Sequence, residues 1–313
     1  MLKGTPVVVV GKRMTENEMV ATLLREAGAV AYGITEIAPV EEAEWEMFER
    51  WLAKGFHAGM RYMENYPEIR RNPSLLLDGA KTIISVAFNY RQPNPFKKLA
   101  TYALGEDYHK VLRRRLKKVT GALKDNFGGD WRICIDSAPI LERYWAIKCG
   151  VGHRSPVHGN VIVEGVGSMV FLSEIITTLP LKKECGVFVA RGAETLENVS
   201  RAVCPTGALQ EGGTVDCRKC INYLTIEKKE ELTPEEMRLV GNSVFGCDAC
   251  QAACVENKGG FVEILPEFHP LPGLQDFIDN IKLEEKESVF DLSKSPLKRG
   301  RRFKAQGFNG IKD

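Results

Sequence analysis

Apolar residues recur at helical spacing in the first half of the chain. Over Glu16–Ala27 they fall on one helical face, and Gly28 follows as a stop signal. The same pattern predicts further helices over Ala43–Ala53, Tyr108–Leu123 and Pro139–Lys148, and a last short one over Leu274–Ile281. Helices of this kind cover a core with one face and meet water with the other.

Short runs of β-branched and aromatic residues lie between these helices. Thr82–Phe88 reads TIISVAF, which is typical of a buried strand. Further strands are predicted over Val30–Ile34, Trp131–Ile135 and Asn160–Glu164, and Met169–Thr177 is another apolar element. Strands and helices alternate up to about residue 180, so we expect a mixed α/β or α+β domain over residues 1–180.

The composition changes after that point. Seven of the nine cysteines fall between Cys185 and Cys254, among short glycine-containing loops. An odd number of cysteines in a chain that begins with no secretory signal disfavours a disulfide framework and favours metal ligation by thiolates. We therefore expect a small metal-held domain over residues 181–260 and a C-terminal segment over residues 261–313.

Charge and hydropathy exclude little else. The net charge is +2, and no apolar run reaches the ~18–20 residues that span a bilayer, so we expect a cytoplasmic protein without a membrane partner. Two local basic stretches could meet phosphates: the predicted helix Tyr108–Leu123 and the tail Lys294–Lys304. Each is equally well explained as a solvated face.

The late cysteines form three motifs: Cys204-Pro205, Cys217-x2-Cys220 and Cys247-x2-Cys250-x3-Cys254. A structural zinc would use the two CxxC pairs. A [4Fe–4S] cluster also needs four thiolates, and bacterial ferredoxins take one of them from a remote Cys-Pro. Because zinc leaves the Cys-Pro motif and the last cysteine without a role, the iron–sulfur interpretation is favoured.

Two polar segments adjoin predicted element ends in the first domain. Gly105-Glu106-Asp107-Tyr108-His109 precedes the basic helix, where Asp107 is explained as its N-cap. Asp136-Ser137-Ala138-Pro139 follows a predicted strand. Asp136 fits an N-cap and a catalytic group equally well, since sheets of this kind carry chemistry at strand ends.

Taken together, these segments resemble the epoxyqueuosine reductases, cobalamin-dependent iron–sulfur enzymes that complete queuosine in tRNA anticodons. The resemblance runs along most of the chain, through motifs in both halves: Gly59–Met63, Arg70–Pro73, Ala80–Ile84, Asp107–His109, Asp136–Pro139, Cys204–Ala208, Cys220–Thr225 and Gly246–Gln251. It implies a nitroreductase-like α+β corrinoid-binding domain followed by a ferredoxin-like iron–sulfur domain. It also implies that an external donor sends electrons through the cluster to cobalamin, to reduce epoxyqueuosine in tRNA.

The resemblance also assigns residues around the cobalamin. Asp136 matches the family's proton donor beside the corrin, a role that would require a pKa raised above the ordinary ~3.9. Arg70, Ala100 and Val161 match corrin-contacting positions. His158 matches a residue of the corrin-side loop, and a purely structural histidine fits there as well.

One cluster is implied by the cysteines that match the family motifs: Cys204, Cys220, Cys247 and Cys250. The family's other cluster begins with three cysteines that are replaced here by Glu194, Glu197 and Ser200, and oxygen ligands substitute poorly for thiolate on iron–sulfur. A second cluster would have to rely on the remaining cysteines, Cys254 and Cys185, with Cys217.

The corrin-side loop also departs from the family pattern. Residues 150–158 are one residue longer than the family's Gly-x-Gly-Trp-x-Gly-Lys-Asn and lack its lysine. Two alternatives to tRNA modification therefore stay open. One is a paralogue that reduces a small molecule or handles a corrinoid, and the other is a non-enzymatic, metal-stabilised binding module.

Overall fold

The computed structural model describes residues 14–189, 200–280 and 290–300. Up to residue 189 the elements in chain order are α1 (Glu16–Glu26), β1 (Ala31–Glu36), α2 (Glu42–Ala53), α3 (Pro67–Arg71), β2 (Thr82–Asn89), α4 (Tyr108–Phe127), β3 (Trp131–Cys134), α5 (Glu142–Lys148), β4 (His153–Arg154), β5 (Val161–Ile162), β6 (Val170–Thr177) and β7 (Glu184–Val187). Beyond them lie α6 (Pro234–Val240), α7 (Ala249–Ala252) and α8 (Leu274–Asn280).

An antiparallel sheet of five strands, in the order β3-β6-β2-β1-β7, is the framework of the first domain. Strands β2 and β6 pair along their whole length, from Thr82 opposite Thr177 to Asn89 opposite Val170. Every residue of β2 is buried, as its density of β-branched and aromatic residues predicts. Strands β4 and β5 form a separate two-stranded ribbon.

Helices cover both faces of the sheet. The apolar stripes of α1 and α4 pack on one face, where Leu24 and Leu116 are fully buried. Each such leucine contributes on the order of 1.5–3 kcal/mol to folding. Helices α2 and α5 cover the other face through Trp45 and Trp145. The expected α+β architecture is confirmed.

The loop between β3 and α5 differs from the prediction. Helix α5 begins at Glu142 rather than at Pro139, with Leu141 in the N-cap position, so Asp136 is not a helix cap. The cap at the start of α4 is confirmed, because the Asp107 carboxylate accepts a hydrogen bond from the His109 backbone N–H at 3.1 Å.

The main sheet continues past residue 180. Strand β7 completes the sheet edge beside β1, with Cys185 opposite Gly33. Without β7, strand β1 would expose a row of unpaired backbone N–H and C=O groups at this edge. Strand β7 pairs with these groups. Tyr32 and Phe188 stack beside this pairing, with ring centroids 5.2 Å apart.

Residues 261–280 and 290–300 of the C-terminal segment pack against the first domain. Phe268 joins the core on the α1–α4 face. Leu274 and Leu297 pack with Phe96 and Leu104 in a third apolar cluster. The predicted helix is confirmed up to Asn280, whereas Ile281 and the basic residues Arg301, Arg302 and Lys304 lie outside the described residues.

Residues 200–257 form short helical turns around a small apolar cluster that includes Tyr223, Leu224 and Val240. So little apolar packing is typical of a domain that a metal centre holds together. The domain docks through Phe245, whose carbonyl accepts a hydrogen bond from the Ala100 N–H at 2.8 Å. In the part of the chain that the structure describes, no helix combines the length and apolarity that crossing a membrane requires.

Candidate active site and metal centre

Asp136 lies just after β3, and its side chain is 52% exposed. Its φ of 53° is in the left-handed region, which costs an L-residue on the order of 1–2 kcal/mol, although aspartate tolerates it better than most. Its backbone N–H donates a hydrogen bond to Glu142 Oε1 at 2.6 Å. The carboxylate is therefore held outward, where it can meet a ligand.

His109 bridges two carboxylates. Its Nδ1 lies 2.8 Å from Asp107 Oδ1, and its Nε2 lies 2.8 Å from Asp136 Oδ2. A neutral imidazole has one N–H, so donating to both carboxylates requires the doubly protonated ring. Burial alone would lower the pKa of His109, but its hydrogen bonds to the two carboxylates outweigh burial and raise it. His109 is consequently a site that retains a proton to higher pH than an ordinary histidine.

The C-terminal segment supplies cations to this group. Asp107 is 1% exposed, and Lys298 Nζ lies 3.1 Å from its Oδ2, with Arg299 Nη2 3.9 Å away. Burial alone would raise the pKa of Asp107, but His109, Arg299 and Lys298 hold it well below its usual range. The sequence identified Asp107 only as a cap, because its partners lie about 190 residues further along the chain.

The protein's own groups do not raise the pKa of Asp136. Burial alone would raise this pKa, but hydrogen bonds from His109 and Tyr108 and the charge of His109 lower it overall. Asp136 is thus a carboxylate near neutral pH.

Two further carboxyl groups lie behind Asp136, and sequence reasoning missed both. Burial and the charge of Asp136 raise the pKa of Glu142 to about 8. Burial, with Glu142 nearby, raises the pKa of Glu174 well above its ordinary value. Glu174 is fully buried, and its Oε1 accepts a hydrogen bond from Ser85 Oγ at 3.3 Å. A glutamate inside the apolar strand VFLSEIIT was the available signal.

The positions predicted to contact a corrin are mostly enclosed by the chain itself. Arg70 is buried, and it donates to the Asn65 carbonyl at 3.1 Å and to the Tyr62 carbonyl at 2.8 Å. Ala100 is 1% exposed and packs beneath the Cys247 loop. Val161, in β5, is also buried. These residues shape the surrounding backbone more than they present surface.

His158 differs because one of its polar atoms has no partner. Its Nδ1 accepts a hydrogen bond from the Asn160 N–H at 3.2 Å, which places the ring hydrogen on Nε2. That Nε2 is buried and unpaired within the described residues. Burial and the charge of Arg143 lower the pKa of His158 to about 4, so the ring is neutral. An unsatisfied buried donor costs about 1–3 kcal/mol, which a ligand acceptor would recover.

Four late cysteines act on one another: Cys204, Cys220, Cys247 and Cys250. Burial, and then the other thiols of this set, raise the pKa values of the last three, and Cys204 adds to the rise in each. Burial alone would also raise the pKa of Cys204, but hydrogen bonds from Thr206 and from backbone N–H groups lower it. Their assignment as one ligand set stays a prediction.

Backbone N–H groups point at two of these sulfurs. The Ala208 N–H donates to Cys204 Sγ at 3.3 Å, and the Ala249 N–H donates to Cys247 Sγ at 3.5 Å. Hydrogen bonds to sulfur tune the potential of an iron–sulfur cluster. The donor set and these N–H groups fit a [4Fe–4S] cluster.

Polar contacts fix the Cys247 loop against the first domain. The Cys247 N–H donates to Asn222 Oδ1 at 2.8 Å. Asp248 Oδ2 accepts from the Thr101 N–H at 2.6 Å and from Thr101 Oγ1 at 2.7 Å. Gly246 has φ 71°, and a Cβ on it would lie 2.6 Å from the Ala100 methyl group. The metal domain and the first domain therefore meet through a close, specific contact.

The cysteines proposed for a second cluster lie in different surroundings. Cys185 lies in β7 of the main sheet beside Gly150. Cys254 is 2% exposed, and its thiol donates a hydrogen bond to Glu256 Oε2 at 2.7 Å. Ser200 Oγ accepts from the Ala202 N–H and serves as a cap. Glu194 and Glu197 lie outside the described residues.

Across residues 14–189, 200–280 and 290–300, no three His, Cys, Asp or Glu side chains are grouped as a single metal ion would require.

Known proteins match both halves of the chain. Residues 70–137 match the family model "Epoxyqueuosine reductase QueG, DUF1730". The epoxyqueuosine reductase of Cyclobacterium marinum is 38% identical over 242 residues, which cover 72% of this chain and 74% of the relative. The chain belongs to the epoxyqueuosine reductase family. The predicted family is thereby confirmed.

The second half matches a "4Fe-4S double cluster binding domain" over residues 201–257, which supports an iron–sulfur cluster in this member of the epoxyqueuosine reductase family. The match contains Cys204, Cys220, Cys247, Cys250 and Cys254. It begins after Ser200, beyond the three positions at which the family's other cluster motif has lost its cysteines.

Solved epoxyqueuosine reductases share the fold. One, crystallised with an epoxyqueuosine-modified tRNA-Tyr stem loop, is 26% identical with a TM-score of 0.71, over 82% of this chain and 69% of that chain. Another, from Bacillus subtilis, has the loop of a catalytic aspartate swung out of its active site. It is 26% identical with a TM-score of 0.70, over the same shares of the two chains.

Proposed function

We propose that this protein reduces epoxyqueuosine to queuosine in tRNA, with electrons from a [4Fe–4S] cluster and with cobalamin as its second cofactor. One observation carries the proposal: the half-exposed Asp136 carboxylate is paired with the His109 imidazolium at 2.8 Å, at the end of the segment that matches the family model. A proton source and an electron path are the two requirements of the reaction.

The overall reaction converts an epoxide to an alkene. It consumes two electrons and two protons, and it releases the epoxide oxygen as water. The electrons come from an external donor through the cluster. Delivery of a proton to the leaving oxygen by a positioned side chain typically accelerates such a step by about 10²–10⁴-fold.

His109 and Asp136 supply the first proton. The proton held at His109 Nε2 moves to Asp136 Oδ2, and from there to the epoxide oxygen. Asp107 stays ionised, because Lys298 and Arg299 surround it, and so it stabilises the imidazolium before the transfer. The pair is then reprotonated from solvent, which reaches Asp136.

We assign the cluster to Cys204, Cys220, Cys247 and Cys250. The N–H groups of Ala208 and Ala249, aimed at two of these sulfurs, support this assignment. Cys254 is assigned no ligand role, because its thiol is already committed to Glu256.

Cobalamin, when bound, supplies a cobalt ion that accepts electrons and delivers them to the substrate. The unpaired Nε2–H of His158 fits an acceptor on the corrin periphery. We propose that Arg70, Ala100 and Val161 shape the wall of the same site through their backbone, since their side chains are buried in the protein's own packing.

We propose that tRNA approaches over α4, although less of this helix is available than its sequence indicates. Glu267 pairs with Arg114 at 3.0 Å and with Arg115 at 2.7 Å, so these two cations support the fold. Arg113, Lys117 and Lys118 are exposed and remain candidates for phosphate contacts.

The test is conversion of epoxyqueuosine-containing tRNA by protein loaded with iron, sulfide and cobalamin without oxygen. Mass spectrometry of the digested nucleosides measures queuosine. We expect conversion by the parent and a loss of about 10²-fold or more in Asp136→Asn. Loaded parent that converts the free nucleoside but not the tRNA would support a small-molecule reductase instead, and loaded parent that converts neither would contradict the proposal.

A further inference from the structure

The conformation of Asp136 needs external support. Its φ of 53° is one that L side chains rarely adopt. The loop from residue 135 to residue 141 is irregular, and Ser137 and Ile140 make only short-range backbone hydrogen bonds within it. A strained residue of this kind persists only where its surroundings hold it in place.

Glu142 provides such a contact. It is the first residue of α5, and its Oε1 accepts the Asp136 backbone N–H at 2.6 Å. The helix is held rigidly, because Tyr144, Trp145 and Ala146, which follow Arg143, are buried against the sheet. The acceptor is therefore fixed relative to β3, while the loop between them has few other ties.

We propose that Glu142 is a positioning residue that holds Asp136 in its left-handed conformation, so that the Asp136 carboxylate faces His109. The inference rests on the proposed function of Asp136, but it concerns the loop itself. Removing the acceptor frees the Asp136 N–H, and the backbone then relaxes toward negative φ. The carboxylate leaves His109 Nε2, and proton transfer between them stops.

The protonation of Glu142 suits this role. Burial and the Asp136 charge favour its neutral form, and the carbonyl oxygen of a neutral carboxyl group still accepts a hydrogen bond. Glutamine has the same length and the same acceptor. Glu142→Gln should therefore keep the loop closed, and Glu142→Met, which fills the same space without an acceptor, should release it.

Hydrogen exchange at the Asp136 amide tests the contact directly, with residue-level resolution on the full chain. We expect slow exchange in the parent and in Glu142→Gln, and exchange at least about tenfold faster in Glu142→Met. Glu41→Met is the matched control: it removes the partner of Lys148 at the other end of α5 and leaves the Asp136 contact intact. Far-UV circular dichroism checks folding, and Glu142→Ala replaces the Met variant if that variant does not fold.

Turnover supplies the second readout. A displaced acid lowers kcat while the substrate surface, and so KM, changes little; a misplacement of about 1 Å can cost on the order of 10²-fold. We expect kcat to fall by about that factor in Glu142→Met and to recover to within about threefold in Glu142→Gln.

The exchange result does not depend on the substrate. If the protein fails to reduce epoxyqueuosine but the Met variant exposes the Asp136 amide, the proposed function fails and the positioning role stands. If a folded Met variant protects this amide as well as the parent does, or if the Gln variant loses protection equally, the positioning role is wrong.

Discussion

His109 Nε2 lies 2.8 Å from Asp136 Oδ2, and the ring's other nitrogen lies 2.8 Å from Asp107 Oδ1. The two carboxylates come from different elements, Asp107 from the start of α4 and Asp136 from the loop after β3. The two carboxylates therefore raise the pKa of the ring between them, and only one of them, Asp136, is exposed.

A change at His109 should alter the pH dependence of turnover. Since the pKa of His109 is raised, the imidazolium is fully formed in acid and is lost as the pH rises through that raised value. The rate at saturating substrate should fall on the alkaline side for this reason. His109→Gln can still donate to Asp136 but cannot release a proton, so kcat should fall by about 10²–10⁴-fold and this alkaline limb should disappear.

The control for that experiment is His269→Gln, because His269 is an exposed histidine that is not one of the three residues of this group. Its pH profile should match the parent's. An unchanged alkaline limb in His109→Gln would contradict the assignment of the proton to His109.

The cysteines should divide by iron content. Protein made without oxygen should hold about four irons per chain, the content of one [4Fe–4S] cluster. Cys250→Ser should lose this iron and its broad absorption near ~400 nm, because serine oxygen is a poor ligand for iron–sulfur. Cys254→Ser should keep both, because Cys254 is bonded to Glu256 instead.

Iron and sulfide analysis, with electron paramagnetic resonance of the reduced protein, measures the number of clusters per chain. About eight irons per chain, falling by half in Cys254→Ser, would show that a second cluster forms and that Cys254 holds part of it.

The ion pair between Lys298 and Asp107 should stabilise the fold. The Asp107 side chain is nearly inaccessible and the Lys298 side chain is only 26% exposed, so Lys298→Met leaves a buried carboxylate short of a partner. The free energy of unfolding should fall by about 1–3 kcal/mol at neutral pH, measured by urea denaturation. Lys294→Met is the control, because that lysine is exposed and pairs with the exposed Asp291. It should leave stability unchanged.

The sign of the pH effect follows from the lowered pKa of Asp107. The stability that ionised Asp107 contributes is fully present above its pKa in the unfolded state, about 3.9. This stability is lost as the pH falls through its pKa in the folded state. The difference between Lys298→Met and the parent should therefore shrink in strong acid. Equal stability of the two proteins at neutral pH would contradict this account of the C-terminal segment.

Binding of tRNA should depend on the exposed cations of α4 and not on the paired ones. Replacing Arg113, Lys117 and Lys118 by Gln should weaken tRNA binding and reduce its salt dependence. Arg114→Gln is the control, because Arg114 is committed to Glu267. Filter binding at several salt concentrations compares the triple variant with Arg114→Gln. Equal losses of tRNA affinity in these two proteins would mean that α4 does not face the phosphates.

Local patterns predicted the local structure. The TIISVAF run is the buried centre of the sheet, and the Asp107 cap begins α4 as its sequence indicates. Motif spacing predicted that Cys204 and Cys250 belong to one ligand set, and both lie in the segment that matches a 4Fe–4S binding domain.

Local sequence patterns did not predict the contacts between residues that are far apart in the chain. Cys185 was expected to be a metal ligand, but its strand completes the sheet beside β1, a choice that depends on an edge formed about 150 residues earlier. Lys298 was expected to face phosphates or solvent, and it neutralises Asp107 instead. Glu142 escaped notice because its role is to accept one backbone N–H, and such a contact leaves no residue pattern.

The most direct test of the central claim compares single-turnover queuosine formation in epoxyqueuosine-containing tRNA by the loaded parent and by loaded Asp136→Asn. Iron and cobalamin contents of the two proteins are matched beforehand. We predict one queuosine for every two electrons delivered to the parent, and a rate lower by about 10²-fold or more in the variant. Equal rates in the two proteins would contradict the assignment of Asp136 as the proton donor.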